Sequence, residues 1–362
     1  MKEERKKILK MVEQGMLSAD EAVNLIEQLE KEYRERQEEK INALSVEVLS
    51  EEKKEGGGKK QSKVSILTSK LLDLVDTAVQ KVREMDIDIP IGPSVHFTHI
   101  FQLQQLEVDE LSVHIVNGNV NIEPWDESDI RVECDVKAYK VEDEQEARDY
   151  FLQNAQCEME GKRFIFFVDK KVLKVNATLY VPNKLYNSLK VKLFNGPIRG
   201  EGLKVENVKV KTANGMISLK GFEGKNAELE TANGQIKWTG FSYDHVELET
   251  VNGMIDINGE AEKLDLQSFN GNLLVSIPTS VCQTLYAKTT TGNIELKVPN
   301  TMDIIGEFKS HLGSFSYDEE AVVVTSQRND VLQKEMRFNV KGEEEKKLTL
   351  FAEAKTGLII LS

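Results

Sequence analysis

An Asn-Gly pair recurs about every nineteen residues through the middle of this chain, at Asn195-Gly196, Asn214-Gly215, Asn233-Gly234, Asn252-Gly253 and Asn270-Gly271. A period held this tightly confines the segment to architectures built from one repeated unit. Thr291-Gly292 and Leu312-Gly313 continue the series at slightly longer spacing; Asn117-Gly118 is an outlying copy and Thr356-Gly357 a last one. The flanks repeat as well. Two residues before each central Asn stand Thr212, Thr231, Thr250 and Ser268, and four before stand Val210, Leu229, Leu248 and Leu266. Three after come Ile217, Ile236, Ile255 and Leu273; five after come Leu219, Trp238, Ile257 and Val275. This is the period-two alternation of β-strands with one apolar face, on both sides of a turn.

Two architectures fit such units. A meander of hairpins would use Asn-Gly as a type I′ turn. A β-solenoid would stack each unit as one coil. The fixed period favours the solenoid, because stacked coils must match in length and independent hairpins need not. Equivalent residues would then form Thr/Ser, Asn and Ile ladders about 4.8 Å apart. The Asn amides would hydrogen-bond from coil to coil, and Gly would supply a positive φ at each corner. The fold class is therefore read as mainly β: a single-stranded β-solenoid with ~19-residue Asn-Gly coils over residues 101–362. A small N-terminal α-helical hairpin and a linker precede it. Inside the β region, 143–157 reads as a helical insertion, FIFFV and LKVNATLYVP as strands, and 318–346 as a break in the period. The final LTLFAEAKTGLIILS reads as a last coil. Open solenoid ends need covering, and the irregular segments are the candidates.

Residues 1–33 read as the helical hairpin. Ile8, Met11 and Val12 mark the first helix, which Gly15 closes. Met16 and Leu17 join it to a second helix, opened by the capping box Ser18-Ala19-Asp20-Glu21 and striped by Ala22, Leu25, Ile26 and Leu29. A unit this small cannot bury its own stripe. Met11, Val12, Met16, Leu17, Leu25, Ile26 and Leu29 are thus the candidate partner-binding residues, with the rest of the chain, a second copy or another protein as the cover. Residues 34–63 form a charged linker with Gly56, Gly57 and Gly58, which lacks the spacing of a phosphate loop. Residues 64–100 hold an amphipathic helix over 64–84 and a lead-in to β structure past Pro90 and Pro93. The polar side of that helix is of mixed sign, which favours protein packing over membrane contact.

The net charge of −14 disfavours nucleic acid as a partner, because phosphate binding needs a Lys/Arg surplus. Membrane contact is peripheral at most, since no stretch approaches a membrane span. The charged N-terminus lacks the apolar run of a signal peptide, so the expected location is cytoplasmic. Cys134, Cys157 and Cys282 have no metal-binding or disulfide spacing. His96 and His99 fall in extended chain, where i and i+3 point to opposite faces, so no metal site is expected. Neither is any cofactor. Glu228/Glu247 and Glu230/Glu249 would align as outward acidic columns, the best carboxylates a polysaccharide-active enzyme could have here. A solvated charged face is the favoured account of them, since carboxylates usually decorate exposed β faces, and no nucleophile and base converge.

The hairpin KKILKMVEQGMLSADEAVNLIEQLEK followed by VKVKTANGMISLKGFEG, AELETANGQIKWTGF and VELETVNGMIDING resembles the YvlB/LiaX-like proteins of Gram-positive bacteria. The resemblance covers nearly the whole chain in that order. It implies a short helical domain joined to an adhesin-head-like β-solenoid, no catalytic residues, and a role in the cell-envelope stress response. It also implies protein partners among envelope-stress regulators or phage-shock-type membrane proteins; self-association is a further option left by the uncovered hairpin stripe. A surface-exposed adhesin-like module is the competing expectation.

Overall fold

The computed structural model describes residues 93–104, 107–330, 333–343 and 346–362. The helical hairpin, the linker and the 64–84 helix lie outside the described residues, as do Met11, Val12, Met16, Leu17, Leu25, Ile26 and Leu29.

Every repeat becomes one rung of a parallel stack. Within a rung a longer strand runs to the Asn-Gly corner and a shorter strand leaves it. Val210 on β9 (Lys204–Asn214) faces Leu229 on β11 (Asn226–Asn233), which faces Leu248 on β12 (Ile236–Asn252), which faces Leu266 on β13 (Ile255–Asn270). The pairing is parallel throughout, which excludes hairpins, whose two strands must run antiparallel. Beyond the corner, Ile217 of β10 (Ile217–Lys220) pairs with Ile236, and Ile236 with Ile255. These apolar columns are fully buried, and Trp238, Phe222 and Phe241 fill the space between faces. Burying each Leu or Ile contributes roughly 1.5–3 kcal/mol, repeated rung after rung.

The corner carries its own ladders. Asn214 donates from Nδ2 to Asn195 Oδ1 at 2.9 Å, Asn233 to Asn214 at 3.0 Å, Asn252 to Asn233 at 2.9 Å and Asn270 to Asn252 at 3.0 Å. Asn195 in turn donates to Asn117 at 2.8 Å. The outlying copy is therefore the neighbouring rung. One step inward, Thr231, Thr250, Ser268 and Thr289 donate their hydroxyls to the carbonyls of Gly215, Gly234, Gly253 and Gly271, at 2.9–3.1 Å. Each hydroxyl satisfies a carbonyl that the turn would otherwise leave buried. Thr250→Val keeps the shape and removes the donor, so urea denaturation should show a loss of about 1–2 kcal/mol.

The corner glycines serve the expected positive φ at some rungs and not at others. Of the corner glycines, Gly118, Gly196 and Gly292 have positive φ, at 137°, 135° and 149°, whereas Gly215, Gly234, Gly253 and Gly271 do not. Crowding is the reason in the regular coils. A Cβ on Gly234 would sit 1.9 Å from the carbonyl oxygen of Gly215, and one on Gly253 1.8 Å from that of Gly234. The column is packed backbone on backbone.

At both ends the order of rungs departs from the order of the chain. β2 (Glu110–Trp125) lies between the rung of β7 (Leu185–Asn195) with β8 (Ile198–Glu201) and a rung made by β5 (Arg163–Val168) with β6 (Leu173–Pro182). β3 (Ile130–Tyr139) then pairs antiparallel to β6, and β1 (Ser94–Leu103) antiparallel to β3. Among the described residues β structure thus begins at Ser94, inside the lead-in. The expected 143–157 helix is α1 (Glu144–Asn154), N-capped by Asp143, whose side chain accepts from the Glu146 amide at 2.8 Å. Its last three expected residues belong instead to β4 (Ala155–Glu160), which pairs antiparallel to β5. Phe151 of α1 packs on Phe97 with ring centroids 5.8 Å apart and covers this end of the core.

The far end mirrors this. β21 (Lys347–Ala354) and β22 (Leu358–Leu361) are last in the chain but not in the stack. They slot between the rung of β15 (Thr284–Thr291) with β16 (Ile294–Lys297) and the rung of β17 (Asp303–Ser310) with β18 (Ser314–Ser316). The break in period over 318–346 is a hairpin of β19 (Val322–Asn329) and β20 (Lys334–Val340), with β20 antiparallel to β17. Antiparallel strands close both ends of the parallel stack, one of the ways a sheet ends without offering a free parallel template.

Candidate interaction face

Alternation along the longer strands sends one set of side chains into the core and the other set outward onto a flat face. Register then aligns the outward set into rows across successive rungs. Along the stack the rows are Lys190/Lys192, Lys209/Lys211, Glu228/Glu230, Glu247/Glu249 and Asp265/Gln267. Beyond them lie Tyr286/Lys288, Phe351/Glu353 and Glu307/Lys309. The acidic columns expected from the sequence are present, and the structure adds the lysine rows before them and the aromatic rows after them.

Charges on this face are partly paired. Glu228 accepts from Lys209 and, at 2.9 Å, from Lys211, which also reaches Glu230 at 2.5 Å. Burial works to raise the Glu228 carboxyl, but its hydrogen bond with Glu230 and the two lysines hold it down to about 2. Burial and the same hydrogen bond to Glu228 push Glu230 the other way. Asp265 is raised by burial and by the charge of Glu247, against a 3.0 Å hydrogen bond from Gln267. Glu249 and Gln267 form the floor of the face, at 3% and 5% exposure. Tyr286 lies flat on Phe351, with centroids 4.9 Å apart and planes 6° from parallel, and Lys309 sits over the Phe351 ring at 5.4 Å. Phe269, 40% exposed, borders the same face.

Glu228, Glu230, Glu247 and Glu249 all project the same way from one sheet, in two columns set by the register of neighbouring rungs. The corner residues Asn195, Asn214, Asn233, Asn252 and Asn270, with Gly196, Gly215, Gly234, Gly253 and Gly271, converge into one structural column and leave no room for a ligand between rungs. His96 and His99 lie on opposite faces of β1. His96 is exposed and hydrogen-bonded to Asp135, and His99 packs on Phe101 and Phe151. Burial, seconded by the Arg148 charge, lowers the pKa of His99. Cys134 and Cys282 are buried, Cys157 half-buried, and desolvation pushes the latter two up to about 12. Among the described residues no group of three or more His, Cys, Asp or Glu is placed to hold a metal ion, and no helix is long and apolar enough to cross a membrane.

The lysine rows were open to sequence reasoning, since LKVKL and VKVKT carry the same alternation as the acidic repeats. The Tyr286–Phe351 stack was not, because its two rungs are neighbours only through the reordering at the C-terminal end.

Comparison with known proteins places these features in a wider group. Residues 108–350 match the Toastrack DUF4097 family model, and residues 3–34 match a SHOCT-like domain. The chain is 50% identical over 361 residues, 100% of its length and 99% of the relative's, to the uncharacterized protein YvlB of Bacillus subtilis (strain 168). Among solved structures, a candidate adhesin of Bacteroides fragilis NCTC 9343 covers 75% of this chain and 99% of its own at 13% identity and a TM-score of 0.40. A candidate lipid-binding protein of Parabacteroides distasonis ATCC 8503 covers 73% and 97% at 12% identity and a TM-score of 0.38.

Proposed function

The chain belongs to the Toastrack DUF4097 family, and we propose that it works as a non-enzymatic scaffold or regulator of the bacterial cell-envelope stress response. It acts by protein–protein contact, with membrane contact at most peripheral, and its partners are envelope-stress or phage-shock-type membrane proteins. The observation that carries this reading is the outer face of the long strands. Its charged and aromatic rows are presented at fixed spacing on a backbone held by parallel pairing and side-chain ladders. A rigid frame lowers the ordering cost of binding. The SHOCT-like segment at residues 3–34 supplies a second, separate point of attachment.

Photo-crosslinking in cells tests this, with the reactive side chain placed at Lys192 or Phe269 of the full chain, and the same chain lacking residues 1–33 run beside it. Discrete envelope proteins should be captured, and deletion of residues 1–33 should remove at least one of them. Unchanged capture on deletion would remove the docking role of that segment, and no capture at either position would sink the scaffold reading. The Tyr286–Phe351 platform favours a second reading, a surface-exposed adhesin-like module binding envelope polymer or peptide. Protease shaving of intact cells separates the two, because an internal protein would be spared.

A further inference from the structure

We propose that the outer face of the long strands is also a homodimer contact, on which a second copy of this chain docks in reverse rung order. Four consecutive outward pairs read Lys190/Lys192, Lys209/Lys211, Glu228/Glu230 and Glu247/Glu249. The sign changes once, in the middle. Within one copy the middle boundary brings opposite charges together, through Lys209, Lys211, Glu228 and Glu230. The boundaries on either side set Lys190 beside Lys209, Lys192 beside Lys211, Glu228 beside Glu247 and Glu230 beside Glu249. Like charges directly opposite on adjacent strands are destabilising. Lys190 and Lys192 are exposed and form no ion pair among the described residues. A partner of reversed order would set opposite charges against the like-charged neighbours Lys190/Lys209 and Glu228/Glu247.

This chain is itself such a partner. A two-fold axis lying in the face, along the strands and between the second and third rows, holds each column opposite itself and exchanges the rows. Lys190 then meets Glu247 and Lys209 meets Glu228, each contact occurring twice. Lys192 and Lys211 take the same relation to Glu249 and Glu230. Beyond them, Ser112 and His114 come opposite Asp265 and Gln267, and the next pair outward sets Ile165 against Tyr286. The other in-plane two-fold, along the stack, would oppose Lys to Lys and Glu to Glu. Because Glu249 lies at the floor, the contact is carried by the exposed Lys190 and the half-buried Glu247.

Sedimentation of the full chain tests the dimer. It should sediment as a dimer at low ionic strength and dissociate as salt rises. Lys190→Glu and Glu247→Lys should each weaken self-association by about tenfold or more. Each variant alone places like charges across the contact twice, whereas an equimolar mixture of the two restores both opposite pairs. The mixture should therefore recover the dimer, with unchanged thermal melts showing that the stack itself is intact. A monomer under all conditions, association indifferent to either reversal, or a mixture that fails to re-form dimer would each overturn the proposal. The dimer does not depend on the envelope partner, so capture of that partner can fail while the dimer stands, and the reverse.

Discussion

Gly234→Ala should destabilise the protein by about 3 kcal/mol or more, because the new methyl group meets backbone. The added Cβ would lie 1.9 Å from the Gly215 carbonyl oxygen and 2.5 Å from its carbonyl carbon. No side chain can rotate away to make room. Relief requires the rungs to part, which stretches the 3.0 Å bond from the Gly215 amide to the Asn233 carbonyl. The Asn233-to-Asn214 side-chain bond is strained with it. Gly161→Ala is the control. That glycine has a φ of +59° but nothing within 4 Å of the added methyl, so only the left-handed penalty of about 1–2 kcal/mol applies. Urea denaturation followed by the fluorescence of the fully buried Trp238 measures both. Equal losses in the two variants would show that contact between rungs costs no more than an ordinary left-handed penalty, against the crowding account of the corner.

The second large effect concerns the displaced last coil. A chain ending at residue 346 loses β21 and β22, and with them the buried Leu348, Leu350, Ala352, Ala354, Ile359 and Leu361. Because that coil fills a position between two others, its loss leaves β15/β16 and β17/β18 without their common neighbour. Hydrogen exchange should then show protection lost across 303–340 and kept across 204–276, since stacked repeats rely on their immediate neighbours. Protection retained at 303–340 would mean that the end hairpin and β17 hold themselves together.

The regular coils were legible because each obeys the same local pattern: Thr, Asn, Gly and Ile occupy one column each, and their contacts repeat with the period. What the period cannot carry is the order in which the units stack. Asn117 looks remote in the chain, 78 residues from Asn195, yet hydrogen-bonds to it. Thr356-Gly357 looks like the final corner, yet Gly357 packs on Gly292 and Gly313 packs on Gly357. The glycine rule was right in position and wrong in cause for the regular coils, since a corner requiring positive φ and one requiring absence of a Cβ leave the same residue in the sequence. The outward face was half visible. Glu228, Glu230, Glu247 and Glu249 stood out as columns, but the sign change that makes the face self-complementary needs Lys190 and Lys192 in register with them.

The reordered rungs at both ends also decide how such a rod can change length. A nineteen-residue unit duplicated between Gly196 and Gly271 would meet matching columns above and below it, and would lengthen the rod by one step of about 4.8 Å. A unit added beyond either end of the described stack would find no vacant place, because its outermost rungs are made by internal segments and closed by antiparallel strands. The stack is a ruler with sealed ends, extendable from its middle.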